Sequence, residues 1–139
     1  MRVVFDTNIV VSSSLSPKGI RAGLIQKWKD NNFDLVVSEA ILKEYKKALS
    51  YQDVSKKHQM SVKEINQLIR NFRKFALVVS PKTKIKVIKD DPDDNKFLES
   101  AEEGRAEIIV GADKHLLDLS EYQGIKILSA TEFLLYLSS

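Results

Sequence analysis

The chain has 139 residues, 43% of them apolar, 29% charged and 8% aromatic, with 5 Gly, 3 Pro and no Cys. That composition argues against disorder, excludes disulfides and thiol nucleophiles, and predicts a single domain over 1–139 that buries roughly 68% of its unfolded surface unaided. Net charge is only +3, but residues 1–89 carry 18 Lys and Arg against 7 Asp and Glu, and residues 90–139 carry 4 against 12. A basic portion suits a polyanion, and an acidic portion suits a cation or a basic partner.

Val3-Val4-Phe5 is a short β-branched run that predicts a buried strand ending at Asp6. Asp6 also interrupts the apolar start, and no uncharged stretch approaches the roughly 20 residues of a membrane span, so a cytoplasmic protein is expected. Ser12 to Ser14 with Ser16-Pro17-Lys18-Gly19 read as one loop. Ile20, Leu24, Ile25 and Trp28 then recur at helical spacing from Gly19 to about Lys29, and Leu35-Val36-Val37 forms a second strand. Ser38 caps a helix whose apolar stripe is Ile41, Leu42, Tyr45, Ala48 and Leu49, with Glu39 and Glu44 as its acids.

Ser50 to Met60 reads as a polar connection. Ser61 and Glu64 form a capping box ahead of the stripe Ile65, Leu68, Ile69, Phe72 and Phe75. Leu77-Val78-Val79 is a third strand, and Lys82 to Lys89, alternating basic and apolar, is an edge strand or an extended loop. Pro92 makes a turn into a helix begun by Asp93 or Asp94, lined by Phe97, Leu98 and Ala101 and stopped by Gly104. Ile108-Ile109-Val110 is a fourth strand ending near Asp113, and Lys126-Ile127-Leu128 a fifth. Ser129 to Glu132 is a capping box for the last helix. Alternating strands and helices predict an α/β fold: a three-layer α/β/α domain around a mainly parallel sheet of about five strands, with ligands beyond the strands' carboxyl ends.

Asp6 and Asp113 both stand at such ends, and the turn around Asp93 and Asp94 supplies a third acidic segment. Two bare carboxylates about 4 Å apart repel by about 4 kcal/mol even at an effective dielectric near 20, so convergence requires a cation or raised pKa values. Oxygen-only ligands suit Mg2+ or Mn2+ better than zinc. Each acid also has a plainer explanation: Asp93 or Asp94 can cap a helix, Asp113 can end a strand, and Glu39 can serve the helix dipole. Asp6 is harder to explain so, since it ends a wholly apolar strand and is followed by Thr7 and Asn8, both able to orient a carboxylate.

Val3 to Ser12, reading VVFDTNIVVS, resembles the opening motif of PIN domains. Asp91-Pro92-Asp93-Asp94-Asn95-Lys96-Phe97-Leu98, then Ala101 and Ile109-Val110-Gly111-Ala112-Asp113-Lys114, resemble that family's later motifs, particularly in its type II toxin branch. The resemblance implies a metal site of Asp6, Glu44, Asp94 and Asp113, with Asn8 orienting Asp6 and with Asp91 and Asp93 peripheral. Asp94 shares a helix face with Phe97, Leu98 and Ala101, which favours it over Asp93. The resemblance further implies a Mg2+- or Mn2+-dependent endoribonuclease leaving 5′-phosphate and 3′-hydroxyl ends, homodimeric and inhibited by a small antitoxin. Lys43, Lys46 and Lys47, on the Glu44 helix, are candidates to hold RNA. The chain departs from the family pattern at Gly111, where Thr or Ser is frequent, and at Ala112, where Gly is common, so a hydroxyl supporting Asp113 is missing.

Other classes fit less well. Only His58 and His115 are available as histidines, and no nucleophile elbow or Walker pattern is present. A phosphoacceptor domain would need an Asp after the third strand, where Ser80-Pro81 stands. A catalytically weak PIN-like module that binds RNA or an antitoxin is the alternative reading.

Overall fold

A computed structural model describes residues 1–15, 19–51 and 60–138. Six strands form one sheet: β1 (Arg2–Phe5), β2 (Asp34–Ser38), β3 (Leu77–Val79), β4 (Ile108–Val110), β5 (Glu121–Tyr122) and β6 (Ile125–Leu128), in the order β3-β2-β1-β4-β6-β5. Every pairing is parallel except β5 with β6. Helices α1 (Thr7–Leu15), α2 (Ile20–Lys29), α3 (Glu39–Leu49), α4 (Val62–Phe75), α5 (Asn95–Glu103), α6 (Lys114–Leu119) and α7 (Ala130–Ser138) complete the α/β/α layers among the described residues.

Burial explains the short strands. Val3, Val4 and Phe5, like Ile108, Ile109 and Val110, are all inaccessible to solvent, as expected of central parallel strands covered on both faces. Phe5, Phe33 and Phe133 meet edge to face at 5.7 and 5.2 Å, tying β1 to the last helix, while Trp28 stacks on Phe72 at 5.3 Å. Gly104 ends α5 against β2, where an added Cβ would lie 2.6 Å from Val36 Cγ1. No helix among the described residues is long and apolar enough to cross a membrane.

Two segments differ from the sequence expectation, and in a third one of two open readings is realised. Ser12 to Ser14 belong to α1 rather than to a loop, because the Ser13 and Ser14 hydroxyls donate back to the Val10 and Val11 carbonyls at 2.6 Å each. A sixth strand, β5, pairs with β6 across Gln123 and Gly124, whose φ values of 47° and 85° make the tight two-residue turn of a hairpin. Residues 82–89 form no strand. They run as an extended strap whose amides are taken by side chains: Lys82 donates to Glu103, Ile85 to Glu99 and Ile88 to Asn95. Residues 16–18, within the expected loop, and 52–59, which hold His58 and most of the polar connection, lie outside the described residues.

β1 leads by way of α2 to β2 and then β3 on one side, whereas β4 and β6 lie on the other. The strand order therefore reverses between β1 and β4, and a crevice opens beyond their carboxyl ends.

Candidate metal centre

Asp6 leaves β1 at that crevice. Its amide donates to Val110 O at 3.0 Å, and its carboxylate is almost wholly buried. Three backbone amides bond the carboxylate: Ile9 donates to Oδ1 at 3.1 Å, and Ala112 and Asp113 donate to Oδ2 at 2.8 and 3.1 Å. Burial raises its pKa above the usual carboxylate value and the charge of Asp113 adds to the rise, while the three amides oppose it. The support expected from Asn8 thus comes from main chain. Asn8 is exposed on the pocket wall, and Thr7 turns its hydroxyl to Glu44 instead. Gly111 fits this arrangement, since a Cβ there would approach Asp6 Oδ2 to 3.2 Å.

Asp113 caps α6, its Oδ1 accepting from the His115 amide at 2.7 Å, so the plainer strand-end and capping role is present too. Asp94 has no such role. It stands where the 3-10 turn Pro92–Asp94 passes into α5, makes no capping bond, and leaves Oδ2 buried without a partner. Burial, then the adjoining Asp113 carboxylate, then the charges of Asp91 and Glu44 push its pKa up to about 8.

Asp91, Asp94 and Asp113 each present an oxygen within 4.8 Å of the others. At that separation each charged pair repels by about 3.5 kcal/mol for an effective dielectric near 20, so the cluster holds a proton or a cation. Asp91, expected to be peripheral, is a member because the one-turn 3-10 segment folds it back beside Asp94; Asp91 O accepts from Asp94 N at 3.0 Å. Asp6, Asn8 and Glu44 line the same pocket, a cavity of about 250 Å3. Asp93 points away, exposed and paired with Lys96 at 2.8 Å.

Glu44 is drawn to the pocket by Tyr45, which is buried on α3 and donates to the Phe5 carbonyl at 2.5 Å. Burial and the charges of Asp6 and Glu44 hold the Tyr45 pKa well above its ordinary value, so it remains a donor. Glu44 then accepts from the Thr7 hydroxyl and, at 2.5 Å, from Lys96 Nζ. Although burial pulls the Lys96 pKa down, the Asp93 and Glu44 carboxylates outweigh it and the net shift is upward, so the ammonium stays charged. Glu39 lies elsewhere, in an exposed ion pair with Arg73. Lys43 and Lys46 face that same side with Glu39 and Arg73. His115 is partly exposed, 3.9 Å from Asp90.

Sequence reasoning missed Asp91, Lys96 and Tyr45. The signal for Asp91 was its place before Pro92, a residue type that starts a tight turn. Lys96 could have been suspected from its fixed offset of three after Asp93 on a helix.

The residues present suit a hard divalent cation: all donors are oxygens, and one buried carboxylate oxygen has nothing else to bind. A doubly wound sheet with carboxylates gathered at its switch point defines an α/β protein with an acidic pocket. Residues 2–115 match the PIN domain family, and the chain belongs to it. It is 32% identical over 124 residues to an uncharacterized protein, MJ1680, of Methanocaldococcus jannaschii, covering 87% of this chain and 76% of that protein. PIN domains are typically nucleases that use divalent metals.

Proposed function

We propose that the chain is a metal-dependent endoribonuclease that hydrolyses RNA phosphodiesters to 5′-phosphate and 3′-hydroxyl ends, with Mg2+ or Mn2+ as its ion. The observation that carries this reading is the buried, unpartnered Oδ2 of Asp94, a residue clustered with the carboxylates of Asp91 and Asp113. Those three residues would hold the ion, with Asp6 and Glu44 in the same pocket to complete the set directly or through water. When bound, such an ion makes a water nucleophilic near neutral pH and offsets the charge that develops on the phosphoryl oxygens.

The protein's own residues supply the rest. Asp6 gathers the amides of Ala112 and Asp113 and so fixes the loop that presents the Asp113 carboxylate. Thr7 and Lys96 hold Glu44 in one rotamer, the Lys96 ammonium being shared between Glu44 and Asp93. Preorganised in this way, the groups need no rearrangement as charge develops.

The test is cleavage of single-stranded RNA in Mn2+ against EDTA, with the Asp6→Asn and Asp94→Asn variants. Metal-dependent cleavage that drops by about 100-fold or more in each variant is expected. Undiminished activity in the variants would refute the mechanism, and RNA binding without cleavage by the unaltered protein would favour the noncatalytic module. We extend the proposal to a cytoplasmic homodimeric toxin restrained by a small antitoxin, on the strength of the motif resemblance. Growth arrest on induced expression, relieved by a small adjacent reading frame, is the corresponding outcome, and a monomer in light scattering would count against the dimer.

A further inference from the structure

A second cavity, of about 550 Å3, lies between the 82–89 strap, the start of α3 and the first turn of α5. Residues 91–97 form the wall between it and the acidic pocket. Asp91, Asp94 and Phe97 face the acids, whereas Pro92, Asp93, Asn95 and Lys96 face the second cavity. Lys96 belongs to both sides, because its ammonium bonds Glu44 of the acidic pocket.

The groove carries an excess of cations: four lysines line it against two acids, of which Glu99 accepts from the Ile85 amide at 3.0 Å and Asp93 is paired with Lys96. Lys84, Lys86 and Lys89 are exposed, line the groove, and have no carboxylate within 4.0 Å among the described residues. They are held on a tethered strap, since Ile85 and Ile88 are buried beneath them and their amides are bonded to α5. Those two side chains with Ala40 and Pro92 give the groove apolar ground between its cations. Fixed cations spaced along a groove with apolar ground between them suit a single-stranded polyanion carrying flat bases.

We propose that this groove is the path by which single-stranded RNA leaves or approaches the acidic pocket, its phosphates held by Lys84, Lys86 and Lys89 and crossing the wall at Lys96. The inference rests on the nuclease reading for its direction, but not for the binding itself. An acidic protein segment is the competing occupant. The regular backbone charge of RNA fits it better, because the lysines lie along an extended strap instead of clustering at one point.

The test uses the full chain and a triple variant, Lys84→Ser with Lys86→Ser and Lys89→Ser, all exposed positions whose loss leaves the core intact. Binding of a fluorescent mixed-sequence single-stranded RNA is measured in Ca2+ over a salt series, beside hydrolysis of bis(4-nitrophenyl) phosphate in Mn2+, which needs only the acidic pocket. The variant is expected to bind RNA about tenfold or more weakly near physiological salt, with the slope of log K on log salt smaller by about 2. Hydrolysis of the small diester is expected to stay unchanged. Unaltered RNA affinity and slope would overturn the groove assignment while leaving the nuclease reading in place. So would a variant that loses binding of an acidic peptide but keeps its RNA affinity. If the unaltered protein hydrolyses no diester yet the variant loses RNA affinity, the groove stands and the nuclease reading falls.

Discussion

Asp94 is held in a state that its surroundings make costly. Its pKa of about 8 in the fold lies above the ordinary 3.8, because burial and the neighbouring carboxylates disfavour its charge. Between those two values the folded chain binds a proton that the unfolded chain has released, so stability falls as pH rises through this window. In EDTA the melting temperature is therefore expected to decline from about pH 5 to about pH 8. Asp94→Asn keeps the shape, removes the ionisation, and should flatten most of that decline; Asp6, also raised by burial, keeps the remainder. Equal slopes in both proteins, measured by calorimetry across the pH series, would show that the cluster is not strained. Asp113 differs in having a structural use for its carboxylate, which caps a helix by accepting from the His115 amide.

At the scale of elements, Asn95 makes the strap possible. Its side chain accepts from the Ile88 amide and donates to the Ile88 and Pro92 carbonyls, each at 2.9 Å, doing for an irregular segment what a neighbouring strand would do. Asn95→Ala leaves the Ile88 amide and carbonyl unpaired, the amide bond having been buried. It should cost about 2–4 kcal/mol in urea unfolding, with amide exchange accelerating first at 85–89. Loss of stability without faster exchange in the strap would contradict this account. The same element shows where reading from sequence stops. Its alternation of basic and apolar residues was legible, but it left strand and extended loop both open, because its partners are side chains 7 to 21 residues away, invisible to periodicity. α4 was legible throughout its length, its stripe and capping box both realised, although Phe75 is exposed. The α1 serines read as loop because Ser hydroxyls that satisfy their own helix look no different, in a sequence, from those that break one. In the site, Asp6, Asp94 and Asp113 were legible because each closes a strand or opens a helix. Asp91 required knowing how tightly the turn curls, and Lys96 required knowing that α3 and α5 meet.

For the molecule as a whole, the lopsided charge of the sequence becomes an adjacency in space. The basic first portion ends in the strap and the acidic second portion opens at Asp90, so a cationic groove and an anionic pocket share the wall at 91–97. The sheet makes the pocket a meeting point of distant parts: β1 and β4 pair in parallel, Asp6 and Asp113 leave their adjoining ends, and α5, packed on β1, β2 and β4, brings Asp94 to them. A cation held there would cross-link the first and last thirds of the chain in the folded state only, and ligation to the native state alone stabilises by mass action. At a free ion concentration a hundredfold above Kd the gain is about 2.7 kcal/mol, or about 10 °C in melting temperature for a chain of this size. Thermal melts in EDTA, Mg2+ and Mn2+ are expected to show that rise for the unaltered protein and little of it for Asp94→Asn. A rise of equal size in the variant would place the ion elsewhere on the surface. The comparison is decisive because the same substitution is expected to raise stability without metal and to forfeit the gain with it, two opposite signs that a merely damaged fold cannot produce together.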